Sequence, residues 1–168
     1  MASQAIHYVL NGKYDKIIWL RNNIEVKDSK PIGFLPGASH EKLLPYAMPL
    51  ADHLGGVDGL NLLITQGKIE LQHLGFVRGR DIKDSIIICS ESENMTKAHL
   101  QLIISRMGEN TTLWINGDYK QVDDAVFENN NGLIKSVNML KGNPLFGHVT
   151  LEITERSKSA ELASLLDE

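Results

Sequence analysis

An α/β fold, with a mostly parallel sheet flanked by helices, is predicted by three features of the sequence. Apolar periodicity switches repeatedly between the strand and helix periods along the chain. The run Ile86-Ile-Ile-Cys89 is apolar without alternation, as in a strand whose two faces are both covered. No repeat, low-complexity tract or linker interrupts the 168 residues, so one domain over 1–168 is expected.

The elements follow in order. Residues 2–10 carry Ala5, Ile6, Val9 and Leu10 at helical spacing and stop on Asn11-Gly12. Residues 16–20 form a short run of strand formers. Gly33-Phe-Leu-Pro-Gly37 reads as a loop, and from Ser39 a helical pattern runs through Leu43, Leu44 and Ala47, broken by Pro45 and Pro49. Residues 57–66 read as a helix, 68–71 as an edge strand, and Phe76-Val-Arg-Gly-Arg80 as a loop with two arginines. After the strand 85–89, Thr96 is placed to cap a helix whose stripe is Leu100, Ile103, Ile104 and Met107, closed by Gly108. A strand over 112–115 leads into the polar turn 116–123. A helix over 133–140, a strand over 149–153 and a helix over 157–166 complete the series.

Composition narrows the function classes. The chain is 42% hydrophobic and 23% charged, with a net charge of -4 that gives no general pull toward nucleic acid or anionic membrane. No apolar run approaches the roughly 20 residues that cross a bilayer, so a cytoplasmic protein without membrane contact is expected. The single cysteine, Cys89, excludes an internal disulfide and reads as a small core residue. The histidines lack metal-site spacing. Gly55-Gly-Val-Asp-Gly59 reads as a flexible connection.

In a parallel sheet, working groups gather beyond the carboxyl ends of the strands. Those ends carry Arg21-Asn-Asn23, Ser90-Glu91, Gly117-Asp118 and Glu155-Arg156. Three carboxylates and two arginines there would suit a polyanion with acid/base chemistry.

Five ordered stretches then carry a resemblance: Gly33-Phe-Leu-Pro-Gly37, Phe76-Val-Arg-Gly-Arg80, Ile86-Ile-Ile-Cys-Ser-Glu-Ser-Glu-Asn-Met-Thr96, Ser105-Arg-Met-Gly108 and Gly117-Asp-Tyr-Lys-Gln-Val-Asp123. Together they resemble the motifs of PhoH-like proteins, the phosphate-starvation-inducible P-loop ATPases with a RecA-like core. Thr154-Glu-Arg-Ser157 resembles the arginine-bearing segment of phage-type members. The resemblance implies ATP and Mg2+ as ligands, with RNA and a homo-oligomeric ring among the partners to consider.

Two departures fall on the machinery so implied. The family's Walker B segment, Asp-Glu-Ala-Gln-Asn, corresponds to Ser90-Glu-Ser-Glu-Asn94, which puts a neutral hydroxyl where the magnesium aspartate belongs. The phosphate loop Gly-x-x-x-x-Gly-Lys-Ser/Thr occurs nowhere in the sequence. Met1-Ala-Ser-Gln-Ala5 resembles the helix that follows this loop, so a domain truncated at its N-terminus, without its first strand, is expected.

The resemblance thus implies an ATPase whose phosphate loop lies on a separate segment. Glu91, Asp118, Gln121 and Arg156 are its catalytic candidates: Glu91 for the attacking water, Asp118 and Gln121 for the terminal phosphate, Arg156 for developing charge. Ser90 and Glu91 are its metal candidates, and Ser90, Arg78 and Arg80 its nucleotide-binding ones. The alternatives are an inactive relative that binds nucleotide, nucleic acid or protein through Arg78 and Arg80, and a decayed fragment.

Overall fold

The computed structural model describes residues 1–21, 43–119, 121–122, 127 and 130–151. Expectations for 33–37, 39–42, 123 and 152–166, including Arg156, lie outside the described residues.

Helix α1 (Ala2–Leu10) precedes β1 (Lys16–Arg21). The two prolines break the next helical pattern as expected, into a 3-10 turn (Leu44–Ala47) and the short α2 (Met48–Ala51). Helix α3 (Val57–Thr65) leads to β2 (Ile69–His73), then β3 (Ser85–Cys89), α4 (Lys97–Ile104), β4 (Thr112–Ile115) and α5 (Gly132–Leu140). The four strands pair in the order β2-β1-β3-β4, every pairing parallel. The register sets Arg21 beside His73, Leu20 beside Cys89, and Cys89 beside Ile115.

The unbroken apolar runs have a direct cause. Successive strand residues point to opposite faces, and both faces are covered. Ile17, Trp19, Ile86 and Ile88 pack under α1, α2 and Leu60 of α3. Ile18, Leu20, Ile87 and Cys89 pack on the other face against Leu100 and Ile103 of α4, with Met95 and Val77. Burying one such side chain contributes about 1.5–3 kcal/mol, so this double core holds the strand ends in place.

Helix α4 starts where expected. Thr96 accepts a hydrogen bond from the His99 amide, and His99 Nδ1 accepts one from the Thr96 amide, each at 3.3 Å. Its apolar stripe is narrower than predicted, because the helix ends at Ile104, which is exposed, and Met107 lies beyond it. The strand expected over 149–153 is corrected over its described part: residues 149–151 are irregular, with Val149 and Leu151 81% and 87% exposed. Alternating apolar residues form a strand only against a partner. Among the described residues, no helix is long and apolar enough to cross a membrane.

Candidate functional site

The carboxyl ends of β1, β3 and β4 come together through contacts that local sequence does not show. Arg21 closes β1 with only 13% of its side chain exposed, and its Nη1 meets Glu91 Oε2 at 2.5 Å. The guanidinium lies over the Tyr46 ring, 4.3 Å from its centre. Tyr46 is held there in turn, since Trp19 Nε1 donates to its carbonyl at 3.0 Å. Glu91 is 57% exposed at its side chain and stands in the left-handed region, at φ 53 and ψ 46. That backbone costs an L-residue about 1–2 kcal/mol and turns the chain sharply off the strand.

Beyond Glu91 the chain is pinned to the end of β4. The Asn116 amide donates to the Cys89 carbonyl at 3.1 Å and the Ser92 amide to the Asn116 carbonyl at 3.0 Å, so pairing continues past both strands. Ser92 is buried, and its hydroxyl donates to the Cys89 carbonyl at 3.1 Å. Glu93 is also buried, and its Oε2 accepts from the Asp118 amide at 3.1 Å. Asn131, the cap of α5, donates from Nδ2 to the Glu93 carbonyl at 2.9 Å and accepts from the Ile134 amide at 3.0 Å. Glu93 is therefore a strut between the tips of β3 and β4.

The predicted site residues divide accordingly. Glu91 and Asp118 come to adjacent tips, and Gln121 Nε2 donates to Asp118 Oδ2 at 3.2 Å, so these three share one end of the sheet. Ser90 sits half-buried between Cys89 and Glu91. Arg80 does not join them. It forms a two-pronged ion pair with Glu70, which Lys16 also contacts at 2.9 Å. Glu70 faces Ile18 near the amino end of β2, away from the tips. Burial works against charge on Glu70, but the Arg80 and Lys16 bonds prevail and hold its carboxyl below the usual range. Arg78 is exposed on the loop after Phe76. One contributor was missed in the sequence, Tyr46, which nothing marked; Arg21 was read there as a strand-end arginine suited to a polyanion, without its partner Glu91. The signal for that pairing is the register that sets β1 beside β3, which sequence periodicity does not specify.

The donor set does not by itself fit magnesium. A hard dication wants several oxygen ligands. The candidates Ser90 and Glu91 offer one hydroxyl and one carboxylate that Arg21 already engages. Among the described residues no three His, Cys, Asp or Glu side chains converge.

A family model described as PhoH-like protein matches residues 1–165. The chain belongs to the PhoH-like family. Protein PhoH2 of Bacillus subtilis is 36% identical to it over 163 residues, covering 91% of this chain and 36% of that protein. The PhoH-like protein of Bacillus subtilis is 33% identical over 167 residues, covering 98% of this chain and 51% of its own. Protein PhoH of Escherichia coli K12 is 33% identical over 129 residues, 73% of this chain and 35% of its own. The chain thus spans about a third to a half of the length of these relatives. PhoH-like membership places the parallel sheet in the P-loop NTPase fold class.

Proposed function

We propose that this chain carries the water-orienting and phosphate-sensing side of an ATP-binding, ATP-hydrolysing site, and that a phosphate loop from polypeptide outside these 168 residues completes it. The observation that carries this reading is the strut of Glu93, which fixes Glu91 and Asp118 on adjacent strand tips, beside a β4 whose outer edge is unpaired among the described residues. In the completed site Glu91 orients water, Asp118 and Gln121 read the terminal phosphate, and Arg156 stabilises developing charge. The loop brings the glycine amides and lysine that this sequence lacks.

The test is binding of ATP with Mg2+ by the purified chain, alone and with a strand-plus-loop segment of a PhoH-like relative. Binding only in the mixture supports the proposal. Micromolar binding by the chain alone, or none in either case, overturns it.

A second reading is favoured by Ser90 and the exposed Arg78: a relative that binds nucleotide, or the phosphates of RNA, without turnover. Ser90→Asp separates the two. In an intact pocket the carboxylate tightens magnesium-dependent ATP binding of the mixture and raises hydrolysis, whereas in a binding module hydrolysis stays absent.

A further inference from the structure

We propose that Arg21, seated on Tyr46, is an anion-receiving residue at this end of the sheet, and that Glu91 fills its place until a phosphate-type anion displaces it. This rests on the reading that nucleotide phosphates approach the strand tips, but not on the phosphate loop itself. An arginine guanidinium has five N–H donors in a planar fork, and the fork fits phosphate as well as carboxylate. Here Nη1 meets Glu91 Oε2 at 2.5 Å, so a carboxylate already occupies the place that a phosphate-type anion would take on the fork. The aromatic ring covers one face of the guanidinium and strips water from it, which strengthens its hold on an anion.

The two partners differ in freedom. Arg21 lies between β2 and β3 at the end of a paired strand and is nearly buried. Glu91 is mostly exposed, so its carboxylate can swing into water without unpacking a core residue. A second donor lies beside this place. His73 faces Arg21 in the register and therefore shares its face of the sheet. His73 Nδ1 accepts from the Gly75 amide at 3.0 Å, which puts the ring proton on Nε2, a buried atom without a hydrogen-bond partner among the described residues. The ligand class is the di- or triphosphate group of a nucleotide.

The experiment titrates inorganic pyrophosphate into the 168-residue chain at constant ionic strength, following the Arg21 Nε–H resonance and the heat of binding. Glu91→Gln removes the competing charge and should tighten pyrophosphate binding by roughly fivefold or more. Arg21→Gln in that background should abolish the gain. Arg21→Lys keeps the charge and the stem but not the fork, so it should recover only part of it and serves if the glutamine variant misfolds. Equal affinities for the parent and Glu91→Gln, or a gain that survives loss of the guanidinium, overturn the proposal. A short oligouridylate is the second probe. A gain confined to pyrophosphate assigns the place to nucleotide phosphates, and a gain confined to the oligomer overturns that assignment. If the loop segment fails to confer ATP binding while Glu91→Gln still gains pyrophosphate affinity, the proposed function falls and Arg21 stands; the reverse pattern removes Arg21 alone.

Discussion

Gly117 has no room for a side chain. A Cβ there would lie 2.4 Å from Glu93 Oε2 and 2.7 Å from the Glu93 amide, and the backbone contact cannot be relieved by a rotamer change. Gly117→Ala should therefore push the Asp118 segment away from Glu93, lowering stability by about 1–3 kcal/mol in urea unfolding while shifting the Asp118 amide resonance. The glycine could be read in the sequence as part of a turn, but its reason lies in a residue 24 positions earlier (117 − 93) that packing alone brings near. Glu93 illustrates the same limit: it looks like one more acidic residue at a strand tip, yet it is buried and braces β4.

Two histidines give the fold a pH dependence of known sign. Burial lowers the pKa of both His73 and His99 from the ordinary 6.5. As pH falls below about 6.5, the unfolded chain takes up these protons before the folded chain does. Stability is thus fully present above that value and declines as pH falls toward the lowered folded values. For His99 the geometry agrees, because its Nδ1 accepts from Thr96 and cannot do so when protonated. His99→Gln, whose side-chain oxygen can serve the same cap without titrating, should flatten the decline in melting temperature measured between pH ~7 and ~5.

At the scale of elements, β3 and α4 were the most legible. The run ending in Cys89 needed no alternation to be read as a strand, and a threonine before an apolar stripe marks a helix start. Both follow from local chemistry that packing reinforces. Ile87→Ala, at the centre of one core, should cost about 2–5 kcal/mol in chemical unfolding, and Thr96→Ala about 1 kcal/mol through loss of the cap. The segment 149–151 was misread for the complementary reason. Its alternation is strand-like, but a strand is a paired object, and Leu145, Val149 and Leu151 stand exposed. The arginines were only half legible: both read as loop cations, and only the fold shows that Glu70 claims Arg80.

For the molecule as a whole, alternating periodicity foretold a parallel sheet but not the strand order, because crossover connections can place a strand on either side of its predecessor. That order decides what the site can be. It sets β1 beside β3, which creates the Arg21–Glu91 pair, and leaves β4 outermost among the described strands. Trp114 of β4 is half-buried in a T-shaped contact with the Tyr8 ring, whereas Trp19 is buried. In a Trp19→Phe protein the remaining tryptophan reports on the β4 edge. A strand that docks beside β4 should shift its emission to the blue, and an unchanged spectrum on adding the loop segment would count against docking there.

Cys89 is the chain's one thiol, and it sits fully buried where β3 meets the turn to Glu91. Burial pushes its pKa far up, so in the closed sheet it is both hidden and unreactive. Its rate of alkylation consequently times how often the end of β3 opens. The protein carries its own clock at the site: whatever settles on the strand tips and steadies them should slow that clock, with no label added anywhere else.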